Sequence, residues 1–231
     1  MTTEAQIEEK IGITFKNKSY LHKAFVHRSY LNENKQENES NERLEFLGDA
    51  VLEFIVSNHL FAHFPKLDEG HLTALRSKLV NTISLAQTAR ELDLGDALYL
   101  SRGEEQSGGR TNTGLLANTV EALLGAIFLD QGVDGAREFV DKFILSKVPE
   151  TVKESLKDPK SMLQEFVQAR GLPAPGYKVV AETGPDHAKE FAVEVFIDKK
   201  SYASGKGNSK KAATQDAAAK ALEEWKKSTE K

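Results

Sequence analysis

Between Asn41 and Ile55 apolar residues recur at helical spacing. With an advance of about 100° per residue, Leu44, Leu47, Val51, Phe54 and Ile55 share one arc of roughly 100°, a core-facing stripe. Glu42, Glu45, Asp49 and Glu53 fall in a second, narrower lane, bordered by Phe46, Ala50 and Leu52. A surface helix would carry Lys, Gln and Ser there. Like charges gathered in apolar surroundings cost free energy unless something positive sits among them. A hard divalent cation suits that place, because it takes oxygen ligands. The ordinary alternative has Glu42 as a dipole partner at the helix start and the other carboxylates facing water. Asn41 can cap this helix, which should run to about Phe61 before Pro65.

The rest of the first two-thirds is also helical. Ile7 to Leu31 supplies apolar surface through Ile11, Leu21, Ala24, Phe25 and Val26, with His22 and His27 among them; structural histidines are commoner than catalytic ones. A helix from His71 puts Leu72, Leu75, Leu79 and Ile83 on one face, and a short one spans Leu85 to Leu92. The Gly-rich loop from Ser101 to Arg110 follows no strand, so it lacks the setting of a nucleotide-binding loop. From Leu115 to Leu129, Leu116, Val120, Leu123, Leu124 and Ile127 form an apolar arc. Asn118 and Glu121 share a small-residue face with Gly125. Packed against the first helix, that face would carry Asn118 and Glu121 to the carboxylate lane. One more helix spans Ala136 to Leu145.

Lys147 to Lys160 holds Pro149 and Pro159 among alternating charges and reads as a linker. Beyond it the period changes. An amphipathic helix from Ser161 to Arg170 precedes strands at Tyr177 to Glu182 and Phe191 to Ile197, a short third strand around Tyr202 to Ser204, and an Ala-rich helix ending near Trp225. The expected fold is an all-α domain at 1–148, a linker at 149–159, and a small α+β domain (α-β-β-β-α) at 160–228, with its helices on one face of the sheet.

Composition narrows the chemistry. None of the 231 residues is cysteine, which excludes disulfides, zinc–thiolate sites and thiol catalysis. The N-terminus lacks a signal peptide's apolar run, and no stretch reads as the roughly 20 apolar residues of a membrane span. A cytoplasmic protein without a membrane partner is the expectation. The net charge of −4 conceals an asymmetry: residues 1–157 hold 18 Lys+Arg and 24 Asp+Glu, while residues 158–231 hold 13 and 11. Phosphate binding in the second part must therefore come from local clusters. Ser209, Lys210 and Lys211 form one where a helix starts. A solvated lysine pair is the competing reading.

Asn41-Glu42-Arg43-Leu44-Glu45-Phe46-Leu47-Gly48-Asp49 resembles the signature stretch of bacterial ribonuclease III. His27-Arg28-Ser29-Tyr30, Asp68-Glu69-Gly70 with its Leu-rich helix, and Thr119 to Ala126 resemble three further family segments, in order. The C-terminal part resembles a double-stranded-RNA-binding domain. The resemblance implies hydrolysis of phosphodiester bonds in double-stranded RNA, leaving 5′-phosphates and short 3′ overhangs, by a homodimer in which each subunit cuts one strand. It suggests ribosomal RNA precursors and some messenger RNAs as targets. It implies a site built from Glu45, Asp49, Glu121 and the position of Asn118, with Mg2+ as the ion and Mn2+ able to substitute. Glu45, Asn118 and Glu121 would be ligands, Asp49 would position the attacking water or a second ion, and Glu42 and Glu69 would belong to the acidic cleft and subunit contact. In the second domain, Gln164, Glu165 and Gln168 would enter the shallow minor groove. His187 would tip the loop making a second groove contact. Ser209, Lys210 and Lys211 would hold phosphates, assisted by Lys206. Two positions depart from the pattern. Thr214 stands where some relatives carry a basic residue. Asn118 stands where Asp is common: it keeps a carbonyl oxygen but brings no charge, so metal affinity should fall. Natural variation, a substitution made to trap a complex and a weakened enzyme all remain open, as does a non-cleaving double-stranded-RNA-binding protein.

Overall fold

The computed structural model describes residues 3–149, 151, 158–185 and 189–229. The chain divides into two compact units, Met1–Thr151 and Val152–Lys231. Most of the expected linker at 149–159 lies outside the described residues.

The first unit is helical: α1 (Glu4–Ile11), α2 (Lys18–Ala24), α3 (Glu42–His63), α4 (Glu69–Val80), α5 (Thr82–Glu91), α6 (Arg102–Gln106) and α7 (Thr113–Phe143). Polar side chains set most of the starts. Thr3, Asn17, Asp68, Asn81, Ser101 and Asn112 each accept a hydrogen bond from a free N–H of the first turn. Asn81 thereby ends α4 and begins α5 in a single residue. Among the described residues of this unit, β pairing is limited to one parallel bridge, Val26 to Tyr99. The core is centred on α3 and α7. Leu44, Val51, Leu52, Ile55, Val56 and Leu60 from α3 meet Leu116, Val120, Leu123, Leu124 and Ile127 from α7, all buried.

Several expectations change. Asn41 occupies the cap position of α3 but makes no capping bond; its buried amide donates to the Ala24 carbonyl instead, tying α2 to the start of α3. Leu52, read as a border of the acidic lane, is buried, while Phe54, read as core, is 58% exposed. The buried arc of α3 is turned toward Glu45, because α7 packs on that side. Ile83 is 75% exposed and belongs to α5, not to the face of α4. The two helices expected between Leu115 and Leu145 form one helical run broken at Gly132, whose φ of 74° suits glycine. The segment Thr113–Lys147 is, by length and composition, apolar enough to cross a membrane, against the expectation that no stretch is. The alanines and glycines among its leucines hid this from a search for an unbroken apolar run. More than half of its most apolar window is buried inside the unit, as in a soluble core helix.

The second unit contains α8 (Pro159–Gln168), β1 (Gly176–Thr183), β2 (Glu190–Ile197), β3 (Lys200–Gly207) and α9 (Lys210–Thr229). The sheet is antiparallel in the order β1-β2-β3, with Tyr177 opposite Val195 and Val195 opposite Ala203. Alternate residues Val193, Val195 and Ile197 point into the core against Leu163, Val167 and the alanines of α9. The third strand is longer than expected and includes Gly205 and Gly207, which read as a loop approaching the helix. A Cβ on Gly205 would stand 2.1 Å from the Ala217 nitrogen, and one on Gly207 2.7 Å from the Ala213 nitrogen. These glycines, and the alanines opposite, let strand and helix backbones touch.

Candidate active site

The site is created by an unusually close helix crossing. A Cβ on Gly48 of α3 would fall 1.8 Å from the Glu121 carbonyl oxygen of α7, and one on Gly125 would fall 2.2 Å from that of Leu44. Contact is backbone to backbone, so nothing larger than hydrogen fits at either position. Glu45 and Asp49 flank Gly48 in α3. Asn118 and Glu121 sit on the facing side of α7.

The electrostatics record this convergence. Burial first, then the neighbouring charges of Asp49 and Glu45, push the Glu121 carboxyl up to about 7. Glu45 is raised as well, by burial and by Glu42 and Asp49, against a hydrogen bond from Asn118 that lowers it. The Asn118 amide thus already serves the cluster. An aspartate there would add another negative charge. Oxygen atoms of Glu45, Asp49, Asn118 and Glu121 form a hard donor set whose charge is poorly compensated by the protein, and this chemistry fits a divalent cation. Among the described residues, no three His, Asp or Glu side chains already stand in a ready-made coordination group.

Other expected residues lie further out. Glu42 is exposed, bonds to Ser40 and pairs loosely with Arg28 at 3.7 Å. It lines a cavity of about 370 Å³ with His27, Arg28, Glu45 and Asn118. Glu53 does not join the carboxylate lane: it faces Arg76 of α4 at 3.6 Å. Glu69 borders a separate apolar groove with Phe54, Phe61, Leu67 and Leu72. His22 is structural, with its ring nitrogens bonded to Glu4 and Glu37, each at 2.8 Å. Burial lowers its pKa, but these bonds outweigh burial and the net shift is upward. His27 faces the cavity, and its Nδ1 accepts from the Ser29 N–H at 3.3 Å. Burial holds His27 below the usual histidine range. Arg28 was legible only as part of a family segment; its place on the cavity needed coordinates.

In the second unit, Gln164 is half-buried, and Glu165 and Gln168 are exposed along α8. Ser209 caps α9, its hydroxyl accepting from the Ala212 N–H at 3.1 Å. Lys210 and Lys211 open that helix, with the Lys210 ammonium 5.7 Å from the Phe191 ring centre. Lys206 pairs with Glu190 at 3.5 Å. The Thr214 hydroxyl turns back to the Lys210 carbonyl. His187 lies outside the described residues.

Comparison with known proteins fixes the class. A family model described as Ribonuclease-III-like matches residues 17–148, and one described as a double-stranded RNA binding motif matches 159–224. Over 219 residues the chain is 46% identical to Ribonuclease 3 of Geobacillus kaustophilus (strain HTA426), spanning 94% of this chain and 89% of that protein. Over 228 residues it is 45% identical to Ribonuclease 3 of Sulfurovum sp. (strain NBC37-1), spanning 98% and 100%. The solved nuclease domain of ribonuclease III from Campylobacter jejuni is 38% identical, with a TM-score of 0.59 over 64% of this chain and 99% of that one. A helical nuclease domain coupled to such a motif defines an endoribonuclease acting on double-stranded RNA. The chain belongs to the ribonuclease III family.

Proposed function

We propose that the enzyme is Mg2+-dependent, with Mn2+ able to substitute, and leaves 5′-phosphate ends with short 3′ overhangs. The carrying observation is the convergence of Glu45, Asp49, Asn118 and Glu121 across the Gly48–Gly125 crossing. Glu45, Asn118 and Glu121 would hold the ion, which when bound supplies activation of water and stabilisation of the departing oxygen. Asp49, exposed beside them, orients the attacking water or a second ion. Hydrolysis with these products breaks the bond between phosphorus and the 3′ oxygen. The chain then divides into a nuclease domain at 1–148, a linker at 149–159 and a binding domain at 160–228.

The protein works as a homodimer in this proposal. Support comes from the groove of about 630 Å³ along α3 and α4. Phe54 and Phe61 are 58% and 75% exposed there, more apolar surface than a lone helix face needs. The solved Campylobacter jejuni nuclease domain shows structural flexibility in a region involved in its dimer formation. Cytoplasmic location and action on ribosomal RNA precursors and some messenger RNAs complete the proposal.

Duplex RNA incubated with and without Mg2+ and resolved on a gel tests the reaction. Cleavage only with the ion supports it. Binding without cleavage at any Mg2+ or Mn2+ concentration favours the alternative that Asn118 raises, a protein that holds duplexes intact. Within the cleaving reading, Asn118→Asp adds a charged oxygen to the proposed ligand set, and the Mg2+ concentration for half-maximal rate should fall about 3- to 10-fold, since ligand charge count tunes ion affinity. An unchanged or higher requirement would remove position 118 from the ion's surroundings.

We propose further that Gln164, Gln168 and His187 contact the minor groove, while Ser209, Lys210 and Lys211 clasp phosphates. The helix N-terminus under the two lysines adds its free N–H groups to their charge. Lys210→Ala with Lys211→Ala should weaken duplex binding and reduce the log–log salt slope by about 1–2, one phosphate contact per lysine. Fluorescence anisotropy across a KCl series measures both, and an unaltered slope would refute the placement.

A further inference from the structure

We propose that Arg28 is a phosphate-gripping residue held in reserve by Glu42, released when duplex RNA enters the cleft. This rests on the proposed cleavage at the Glu45–Glu121 cluster and adds to it a residue that the acidic set does not contain.

Two cavities adjoin at Asn118. The first, about 370 Å³, is lined by Glu42 and Glu45. The second, about 600 Å³, is lined by Ser29, Asn32, Glu104 and Asn112. Arg28, His27, Leu115 and Asn118 line both, and Arg28 is the only lysine or arginine among the described lining residues of either. The neighbourhood is otherwise negative: Glu42, Glu45 and Glu104 face the same two spaces. An RNA strand brings a negative charge with every phosphate, so approach along these cavities needs a cation on the protein as well as any ion in the cluster.

Arg28 is free to serve. Its side chain is 72% exposed, and its nearest carboxylate contact, to Glu42, is 3.7 Å long between two exposed groups. Such a pair contributes little to stability. A phosphate offers the planar guanidinium two parallel hydrogen bonds, shorter and stronger than this contact. Exchange of Glu42 for phosphate therefore runs toward the substrate. Glu42 keeps the cation close to the cavity mouth meanwhile and competes with the phosphate for it.

The exchange is tested with Arg28→Ala, Arg28→Lys, Glu42→Gln and the Arg28→Ala/Glu42→Gln double variant, in steady-state cleavage of a duplex RNA and in metal-free binding of the same duplex across a KCl series. Arg28→Ala should lower kcat/KM about 10- to 100-fold, chiefly through KM, and reduce the salt slope by about one contact, with the melting temperature unchanged. Arg28→Lys should recover part of the loss. Glu42→Gln should lower KM about 3-fold in the native background and by clearly less once Arg28 is alanine, where only the relief of direct repulsion between Glu42 and phosphate is left. An Arg28→Ala variant with native KM and native salt slope would overturn the proposal, as would equal Glu42→Gln effects in both backgrounds. If the native chain binds duplex without cutting it, the cleavage reading fails, and the salt slope still decides Arg28.

Discussion

Glu121→Gln will abolish cleavage and, in metal-free buffer at pH 8, stabilise the protein. The two effects share one cause. Glu121 is half-buried beside Asp49 and Glu45, and its carboxyl is pushed up to about 7 in the folded chain against an ordinary 4.5. Unfolding lets that carboxyl ionise more readily. The unfolded chain therefore releases this proton first as pH rises, and stability from this group is fully present below about 4.5 and lost as pH climbs through about 7. Above that point the folded protein carries a strained charge that glutamine removes. Discounted for the solvent that reaches a half-buried group, the gain is about 1–2 kcal/mol, or a few degrees in melting temperature. The same substitution takes a negative oxygen from the proposed ion site, and the cleavage rate should fall about 10³-fold or more. Calorimetry at pH 5 and pH 8 with chelator, beside single-turnover cleavage, reads both. A variant that melts lower than native at pH 8 would show that the protein itself compensates the carboxylate, leaving no unbalanced charge for an ion to meet.

Gly48→Ala should damage fold and function together. The added methyl would meet Glu121 and Gly125 backbone atoms at 1.8 to 2.9 Å, and backbone cannot rotate aside as a side chain can. The helices must separate. Overpacking of this kind costs about 1–3 kcal/mol, which in a domain this size lowers the melting temperature by roughly 3–12 °C. Separation also moves Glu45 and Asp49 away from Glu121, and a displacement of about 1 Å is enough to slow catalysis about 10²-fold. Gly103→Ala is the control, because a methyl there meets nothing within 4 Å. Native melting and native cleavage in Gly48→Ala would mean that the crossing does not position the site.

The residues that the pattern made legible are those whose environment is set within their own helix. Leu116, Val120, Leu123, Leu124 and Ile127 repeat at helical spacing and are all buried. Asn118, Glu121 and Gly125 could be placed on one small-residue face, and the structure sets that face against α3. What escaped depends on neighbours distant in sequence. Phe54 satisfies the core period of α3, yet α7 covers the other flank and leaves it exposed. Glu53 fits the acidic lane by spacing, but Arg76 draws it toward α4. Asn41 has the chemistry of a cap and spends it on Ala24. Gly205 and Gly207 have poor strand propensity and are nevertheless strand, because only glycine lets α9 approach. The two cavities meeting at Arg28 join segments from before α3 and from the start of α7, and local periodicity carries no trace of such a meeting.

At the centre of the proposed function stands a divalent ion held jointly by the α3 and α7 carboxylates. Titration of metal-free protein with Mn2+, followed by electron paramagnetic resonance, counts bound ions without RNA or turnover. Binding to the native chain should be saturable, weakened by Glu45→Gln, weakened again by Glu121→Gln, and lost in the double variant. Undiminished binding in the double variant would contradict a shared site.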